Sequence, residues 1–301
     1  MKISRFFWVK LVVLASAQAL SISVCSAQSA TTERVRVVAS FSILADMVRE
    51  VGGEAVEVTA LVGPGADAHV FEPSPADARR VASAQLLIVN GLGFEGWLNR
   101  LVTASGYRGA VVVATIGVPL RKIGRGVDPH AWQSLNNALI YVENIHSALA
   151  KTLPSQAANF RKNAEQYSAK IRALDASVRE RIATVPAAER RVITSHDAFG
   201  YFGDAYKVEF IAAQGWSTDS EASAADVARI IRQLKAKQVR AVFVENVSDP
   251  RLAQRIGKEG GGVMGGTLYS DALSPPGTSG DTYLNLFEHN AGALVRALGA
   301  R

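Results

Sequence analysis

Short apolar runs rich in β-branched residues alternate with helical patterns along most of the chain. Strands that alternate with helices at this spacing predict βαβ units and mostly parallel sheets. The predicted strands cover residues 35–39, 56–62, 86–90, 111–115, 192–195, 208–212, 241–245 and, more weakly, 263–267. The predicted helices cover residues 42–51, 75–84, 95–104, 222–236, 250–259 and about 282–298.

The alternation breaks once, from about residue 155 to residue 184, where no strand pattern occurs. Apolar or aromatic side chains recur there at spacings of three and four residues, which places them on one face of a helix. These positions are Phe160, Ala164, Tyr167, Ile171, Leu174, Val178 and Ile182. A helix of about 30 residues spans roughly 45 Å, which is long enough to join two lobes. A coiled-coil segment is the alternative interpretation.

These patterns predict an α/β protein of two similar lobes with parallel-type sheets, joined by one long rigid backbone helix. The predicted limits are 33–152 for the N-terminal lobe, 154–185 for the connecting helix and 190–301 for the C-terminal lobe. In such a layout the ligand site is expected in the cleft between the lobes, at the carboxyl ends of the strands.

The first residues predict export. Lys2, Arg5 and Lys10 accompany an apolar stretch that ends in small residues, which is the pattern of a secretory signal peptide over residues 1–27. The expected location is therefore the periplasm. Cys25, the single cysteine, offers lipoprotein anchoring as the less favoured alternative, because Val24 stands where a lipobox has a small residue.

Charge adds little to this interpretation. Removing the predicted signal peptide takes away three basic residues and no acidic ones, which lowers the formal charge from +6 to +3. A charge of +3 gives no argument for nucleic-acid binding, and we expect no nucleic-acid partner.

Four residues stand at loop positions that suit metal ligands. His69 follows the second predicted strand, His130 precedes a helix, His196 follows the first strand of the second lobe, and Asp271 follows the last strand. Three imidazoles and one carboxylate would fill a four-coordinate site for zinc, and the carboxylate also suits manganese. Each histidine taken alone is more often solvated or bonded to a backbone carbonyl.

The other polar candidates have weaker patterns. His146 lies in a helical stretch after His130 and His289 lies in the last predicted helix, and both are interpreted as surface or structural histidines. Asp67, Glu72 and Glu245 are rival carboxylates, and Glu245 ends a predicted strand near the expected cleft. The chain contains no G-x-S-x-G or Walker motif, so acyl transfer and nucleotide binding by a Walker loop find no support.

Several segments together resemble the cluster A-I, zinc- and manganese-type, substrate-binding proteins of metal ABC importers. They occur in family order over nearly all of residues 34–300 and read VASFSILAD from 38, GADAHVFEPSP from 65, DPHAW from 128, SHDAFGYF from 195, VEN from 244 and YSDALS from 269. The resemblance implies one divalent metal ion, Zn²⁺ or Mn²⁺, at the lobe interface. By the family pattern the ligands fall on His69, His130, His196 and Asp271.

The resemblance also implies a function. We expect an extracytoplasmic solute-binding protein, not an enzyme, that delivers its metal to the membrane permease subunits of an ABC importer and is monomeric. It would touch the membrane only through the permease. A secreted adhesin on the same scaffold and a metallohydrolase with Glu245 as base remain alternatives. The segment 118–127 is short and lacks histidine, unlike the His-rich loop of many zinc importers, so zinc and manganese both stay open.

Overall fold

The computed structural model describes residues 34–299, except positions 221, 238 and 240. The predicted signal peptide and Cys25 lie outside the described residues. All eight predicted strands are present, at bounds that differ from the predicted ones by a few residues at most.

Four parallel strands form the sheet of the first lobe, in the order β2-β1-β3-β4. Its elements are β1 (Val35–Phe41), α1 (Ser42–Gly52), β2 (Val56–Val62), α2 (Pro75–Ser83), β3 (Leu86–Val89), α3 (Leu98–Ser105) and β4 (Ala110–Val113). In the inner strand β1 only Arg36 is exposed. Inner strands of a parallel sheet are covered on both faces, and this explains the near-continuous apolar run.

The segment between the two sheets is helical. A small antiparallel hairpin, β5 (Lys122–Ile123) and β6 (Gly126–Val127), precedes α4 (Leu135–Thr152) and the long helix α5 (Ala157–Ala183). Pro154 opens a short 3₁₀ turn, so α5 begins a few residues later than predicted. Of the seven positions predicted to share one face of α5, all but the half-buried Leu174 are buried.

The second lobe repeats the architecture with the parallel strand order β10-β9-β7-β8. Its elements are β7 (Arg191–Thr194), α6 (Gly200–Tyr206), β8 (Glu209–Ala212), α7 (Ala224–Ala236), β9 (Ala241–Glu245), α8 (Pro250–Gly260), β10 (Val263–Leu268) and α9 (Tyr283–Gly299). The hairpin β5–β6 and the short helix α6 were not predicted. Within the described residues, no helix is long and apolar enough to span a membrane.

The hydrophobic core is continuous from one lobe to the other. One cluster of buried side chains includes residues of the first sheet, of α4, α5 and α9, and of one face of the second sheet. The opposite face of the second sheet, with Ile193 and Val242, packs against α7 and α8 in a separate cluster. Because α5 packs on α1 and α4 as well as on α6 and α9, a wide hinge between the lobes would break this core.

One buried carboxyl joins the lobes at an energetic cost. Asp46 on α1 accepts a hydrogen bond of 2.8 Å from the backbone N–H of Tyr283, the first residue of α9. Burial raises the pKa of the Asp46 carboxyl to about 6, the Tyr283 N–H opposes this rise, and Glu50 adds to it. The folded state therefore binds this proton more tightly than the unfolded chain, whose carboxyl has the ordinary pKa of 3.8.

We expect Asp46→Asn to stabilise the protein at pH 7.5 by up to about 3 kcal/mol, since each pKa unit corresponds to about 1.4 kcal/mol. Asparagine keeps an acceptor for Tyr283 and removes the buried charge. The wild type loses this stability as pH rises through the window from about 4 to 6, so the difference between the two proteins should vanish near pH 4. Urea unfolding at pH 4 and pH 7.5 measures it, and an equal difference at both values would contradict the argument.

Candidate metal centre

Loops at the carboxyl ends of the strands carry the four candidate ligands into the space between the lobes. His69 lies between β2 and α2, His130 between β6 and α4, His196 two residues after β7, and Asp271 three residues after β10. Gly65, in the left-handed region at φ +70°, turns the His69 loop, and its N–H donates to the carbonyl of Leu273 in the other lobe at 2.8 Å. The cleft position predicted for parallel α/β lobes is thus where the four residues meet.

The four ligand atoms converge on one point. The Nε2 atom of His69 lies 3.3 Å from Nε2 of His130 and 3.1 Å from Oδ2 of Asp271. The same carboxylate oxygen lies 3.0 Å from Nε2 of His196, and Oδ1 lies 3.7 Å from Nε2 of His130. One ligand atom from each residue falls within 4.8 Å of the other three.

This spacing fits a single metal ion. Two ligands that coordinate one ion tetrahedrally at about 2.1 Å lie roughly 3.4 Å apart, and the observed distances bracket that value. The Oδ1 atom of Asp271 is buried and accepts no hydrogen bond from any described residue. A buried carboxylate oxygen without a partner is costly, and a cation at the centre of the cluster would satisfy it.

The cluster is shielded from solvent. The side chain of His69 is 2% exposed, and those of His130, His196 and Asp271 are fully buried. The Phe94 ring packs edge-on against His69, with their centroids 4.8 Å apart. Low solvent access strengthens the attraction between the carboxylate and any bound cation.

Carboxylates outside the cluster fix two of the imidazole rings. Asp128 Oδ1 lies 2.8 Å from Nδ1 of His130 and also accepts from the His130 backbone N–H at 3.0 Å. Glu245 Oε2 lies 2.5 Å from Nδ1 of His196 as an ion-pair contact that is not aligned as a hydrogen bond, and Oε1 accepts from the His196 backbone N–H at 2.8 Å. Each carboxylate holds the outer nitrogen, which leaves Nε2 directed to the centre.

The buried charges of the cluster stabilise one another. Burial lowers the pKa of His196, but the carboxylates of Glu245 and Asp271 outweigh this and raise it well above its ordinary value. Burial raises the pKa of Asp271, but His196 and His130 outweigh this and hold it well below its ordinary value. Without metal, the cluster therefore combines an anionic Asp271 with a proton held on His196.

A loop of the second lobe covers the cluster from the side of His69. Thr218 donates a hydrogen bond of 2.6 Å to Oδ2 of Asp67, whose Oδ1 accepts from the backbone N–H of His69 at 2.9 Å. The Trp216 ring lies edge-on to His69 with 5.9 Å between centroids and remains partly exposed. Trp132 is fully buried, and its indole N–H donates to the carbonyl of Ser270, next to Asp271. Both tryptophans pack near the cleft.

The remaining candidate residues lie outside the cluster of four ligands. His146 lies 3.3 Å from Glu143 on its own helix, and His289 contacts the carbonyl of Thr267. Glu72 is exposed. The sequence predicted Glu245 as a rival carboxylate or, in the hydrolase alternative, as a base, and it gave Asp128 no role of its own. The signal available for Asp128 was its position two residues before His130, which lets one carboxylate reach both the ring and the backbone of that histidine.

Two similar α/β lobes around a buried centre of three imidazoles and one carboxylate define a two-lobed solute-binding protein with a ligand set of the transition-metal type. The profile of the family described as zinc-uptake complex component A, periplasmic (ZnuA), matches residues 37–297, and the chain belongs to this family. The family consists of solute-binding components of metal ABC importers, and the resemblance drawn from the motifs is confirmed.

Individual relatives cover nearly the whole chain. The manganese-binding lipoprotein MntA of Bacillus subtilis (strain 168) is 35% identical over 283 residues, which are 91% of this chain and 92% of that protein. The iron-binding protein YfeA of Yersinia pestis is 32% identical over 275 residues, 90% of this chain and 88% of that protein. The structure of the periplasmic zinc binding protein TroA from Treponema pallidum matches with a TM-score of 0.84 and 31% identity, covering 89% of this chain and 100% of that one.

Proposed function

We propose that this protein captures one divalent transition metal ion outside the cytoplasm, with His69, His130, His196 and Asp271 as the ligands, and delivers it to an ABC importer. The observation that carries the proposal is the convergence of four buried ligand atoms within 4.8 Å of one another. The ligands come from both lobes, two from each. A bound ion therefore holds the two lobes together in a closed form. The surface of this closed form differs from that of the metal-free form, and a membrane permease can recognise the difference.

The ligand chemistry bears on the choice of metal. Imidazole suits zinc, and the Irving–Williams order places zinc above manganese in affinity, while a carboxylate also suits manganese. Relatives are named for binding manganese, iron and zinc. We propose that the site accepts both zinc and manganese and binds zinc more tightly in vitro.

Binding rather than catalysis is favoured by the position of Glu245. A metallohydrolase needs a general base beside a metal-bound water and an open coordination position. Glu245 is 1% exposed and uses both of its oxygens on His196, so it orients a ligand instead of facing a substrate. The four ligands also enclose the centre, which supports a carrier.

The proposal includes partner, location and organisation. Export by the signal peptide 1–27 would place the protein in the periplasm, and several relatives are named lipoproteins, which keeps anchoring at Cys25 as the alternative. We propose a monomer that meets the membrane through the permease subunits. The lobe limits 33–152 and 190–301, with the connecting helix 154–185, belong to the same proposal.

Metal analysis of the purified protein tests the function. We expect about one equivalent of bound metal in the wild type after loading with Zn²⁺ or Mn²⁺, and loss of stoichiometric binding in His196→Ala. His289→Ala is the matched control, because His289 lies outside the cluster. Competition between the two ions gives the preference. A wild type that binds neither ion stoichiometrically would overturn the proposal.

A further inference from the structure

An arginine stands between the two lobes at the edge of the metal centre. Arg121, just before β5, directs Nη1 to Oδ2 of Asp128 in the first lobe at 3.0 Å. Its Nε donates to Oδ2 of Asp204, on α6 of the second lobe, at 3.1 Å. One planar guanidinium thus holds two carboxylates that belong to different lobes, a geometry that arginine provides and lysine does not.

The contact between Arg121 and Asp128 continues to a proposed metal ligand. Its other oxygen, Oδ1, lies 2.8 Å from Nδ1 of His130, so the order of contacts is Arg121, Asp128, His130. Asp128 and His130 are fully buried, and little solvent screens the contacts between them. Outer partners of this kind set the orientation and basicity of a metal-binding imidazole.

On the side of the second lobe, Arg121 contacts residues of α6. The Arg121 backbone N–H donates to the hydroxyl of Tyr201 at 2.9 Å. The guanidinium crosses the start of the helix at Gly200, where an added Cβ would lie 2.2 Å from its Nη1 atom. His196 lies in the loop that leads directly into α6. A shift of α6 relative to the first lobe therefore moves both the His196 ligand and the contact of α6 with Arg121.

We propose that Arg121 is a positioning residue that couples the second lobe to His130, so that retention of the bound ion depends on the Arg121–Asp204 contact. This inference rests on the proposed function. While Arg121 contacts both Asp128 and Asp204, Asp128 stays paired and holds the His130 ring toward the ion. When the second lobe moves away, Asp204 no longer anchors the guanidinium, Asp128 loses its fixed partner, and the His130 ligand loosens.

The test compares the folded proteins Arg121→Gln, Asp204→Asn and Arg125→Gln. Arg125 is exposed in the same hairpin and serves as the control. We expect metal affinity to fall about tenfold or more in Arg121→Gln, as for other outer partners of metal ligands. The dissociation rate should rise by about two- to fivefold in Asp204→Asn, whose carboxylate is largely exposed. The double variant should be no weaker than Arg121→Gln alone.

The visible spectrum of the Co²⁺-loaded proteins separates positioning from a general structural role. We expect the Co²⁺ band to change in Arg121→Gln, where Asp128 loses its partner and His130 loosens. The band should change less, and in the same direction, in Asp204→Asn, where the guanidinium stays beside Asp128 but is no longer anchored to the second lobe. If the wild type bound one equivalent of metal and both variants matched Arg125→Gln in affinity, dissociation rate and spectrum, the inference about Arg121 would be overturned while the proposed function stood. A wild type that binds no metal would overturn the proposed function and the inference with it.

Discussion

The Asp271→Asn variant should bind divalent metal on the order of 10³-fold more weakly than the wild type. Structural zinc sites of four ligands bind with about 10–16 kcal/mol, or roughly 2.5–4 kcal/mol per ligand, and the upper value of about 4 kcal/mol corresponds to about 10³-fold. Asp271 supplies the only carboxylate of the cluster, and its Oδ1 atom accepts no hydrogen bond from the described residues. Asparagine has the same shape without the negative charge, so the loss reports on coordination rather than on packing.

Competition with a chelator of known affinity measures this loss for Zn²⁺ and Mn²⁺ separately. We expect the loss to be larger for Mn²⁺, because manganese prefers carboxylate oxygen whereas zinc also binds imidazole well. Glu72→Gln is the matched control: it removes an exposed carboxylate from the loop that carries His69. If Asp271→Asn bound metal within about threefold of Glu72→Gln, Asp271 would not be a ligand.

Metal affinity should rise with pH through the neutral range. In the metal-free protein burial lowers the pKa of His196, but Glu245 and Asp271 raise it well above its ordinary value, so the ring stays protonated at neutral pH. An imidazole binds metal only in its neutral form, and this proton must therefore leave. Affinity then increases by about tenfold per pH unit for each proton released, up to the raised pKa of His196.

Protonation of Asp271 does not explain the expected loss in acid, since the pKa of this carboxyl is held well below its ordinary value. Calorimetric titration at pH 7.5, in two buffers that differ in ionisation enthalpy, should show about one proton released from His196 for each ion bound. Glu245→Gln removes a carboxylate that raises the His196 pKa and should shift the affinity profile toward lower pH. A proton release near zero in the wild type at pH 7.5 would contradict the prediction.

Local sequence patterns predicted most helices and strands, because the periodicity of a helix or strand depends on residues that are close together in the chain. The buried strand β3 shows as an uninterrupted apolar run, and α5 shows as one apolar face over many turns. The short helix α6 has only seven residues and contains two glycines and three aromatic side chains, which leaves no clear helical period. Its helical state is fixed by packing, since Phe202 is fully buried and lies against Phe210 and Phe287.

The same division holds for the metal centre. The residue types and their loop positions identified His69, His130, His196 and Asp271 as one set, and the structure brings all four together. Glu245 was predicted as a rival and lies instead against the outer nitrogen of His196. Strand order decides this contact: β9 lies beside β7, so the end of one strand faces the loop after the other.

Short-range periodicity and side-chain chemistry are enough to predict the alternation of strands and helices, the long connecting helix and the residues able to bind a metal. Which atoms face the centre, which carboxylates hold the imidazoles, and how Arg121 joins the lobes depend on the packing of the whole chain. Those contacts connect residues far apart in the chain, such as His69 with Asp271 and Arg121 with Asp204. Their distances follow from how the shared core packs the two lobes, and no local pattern encodes that packing.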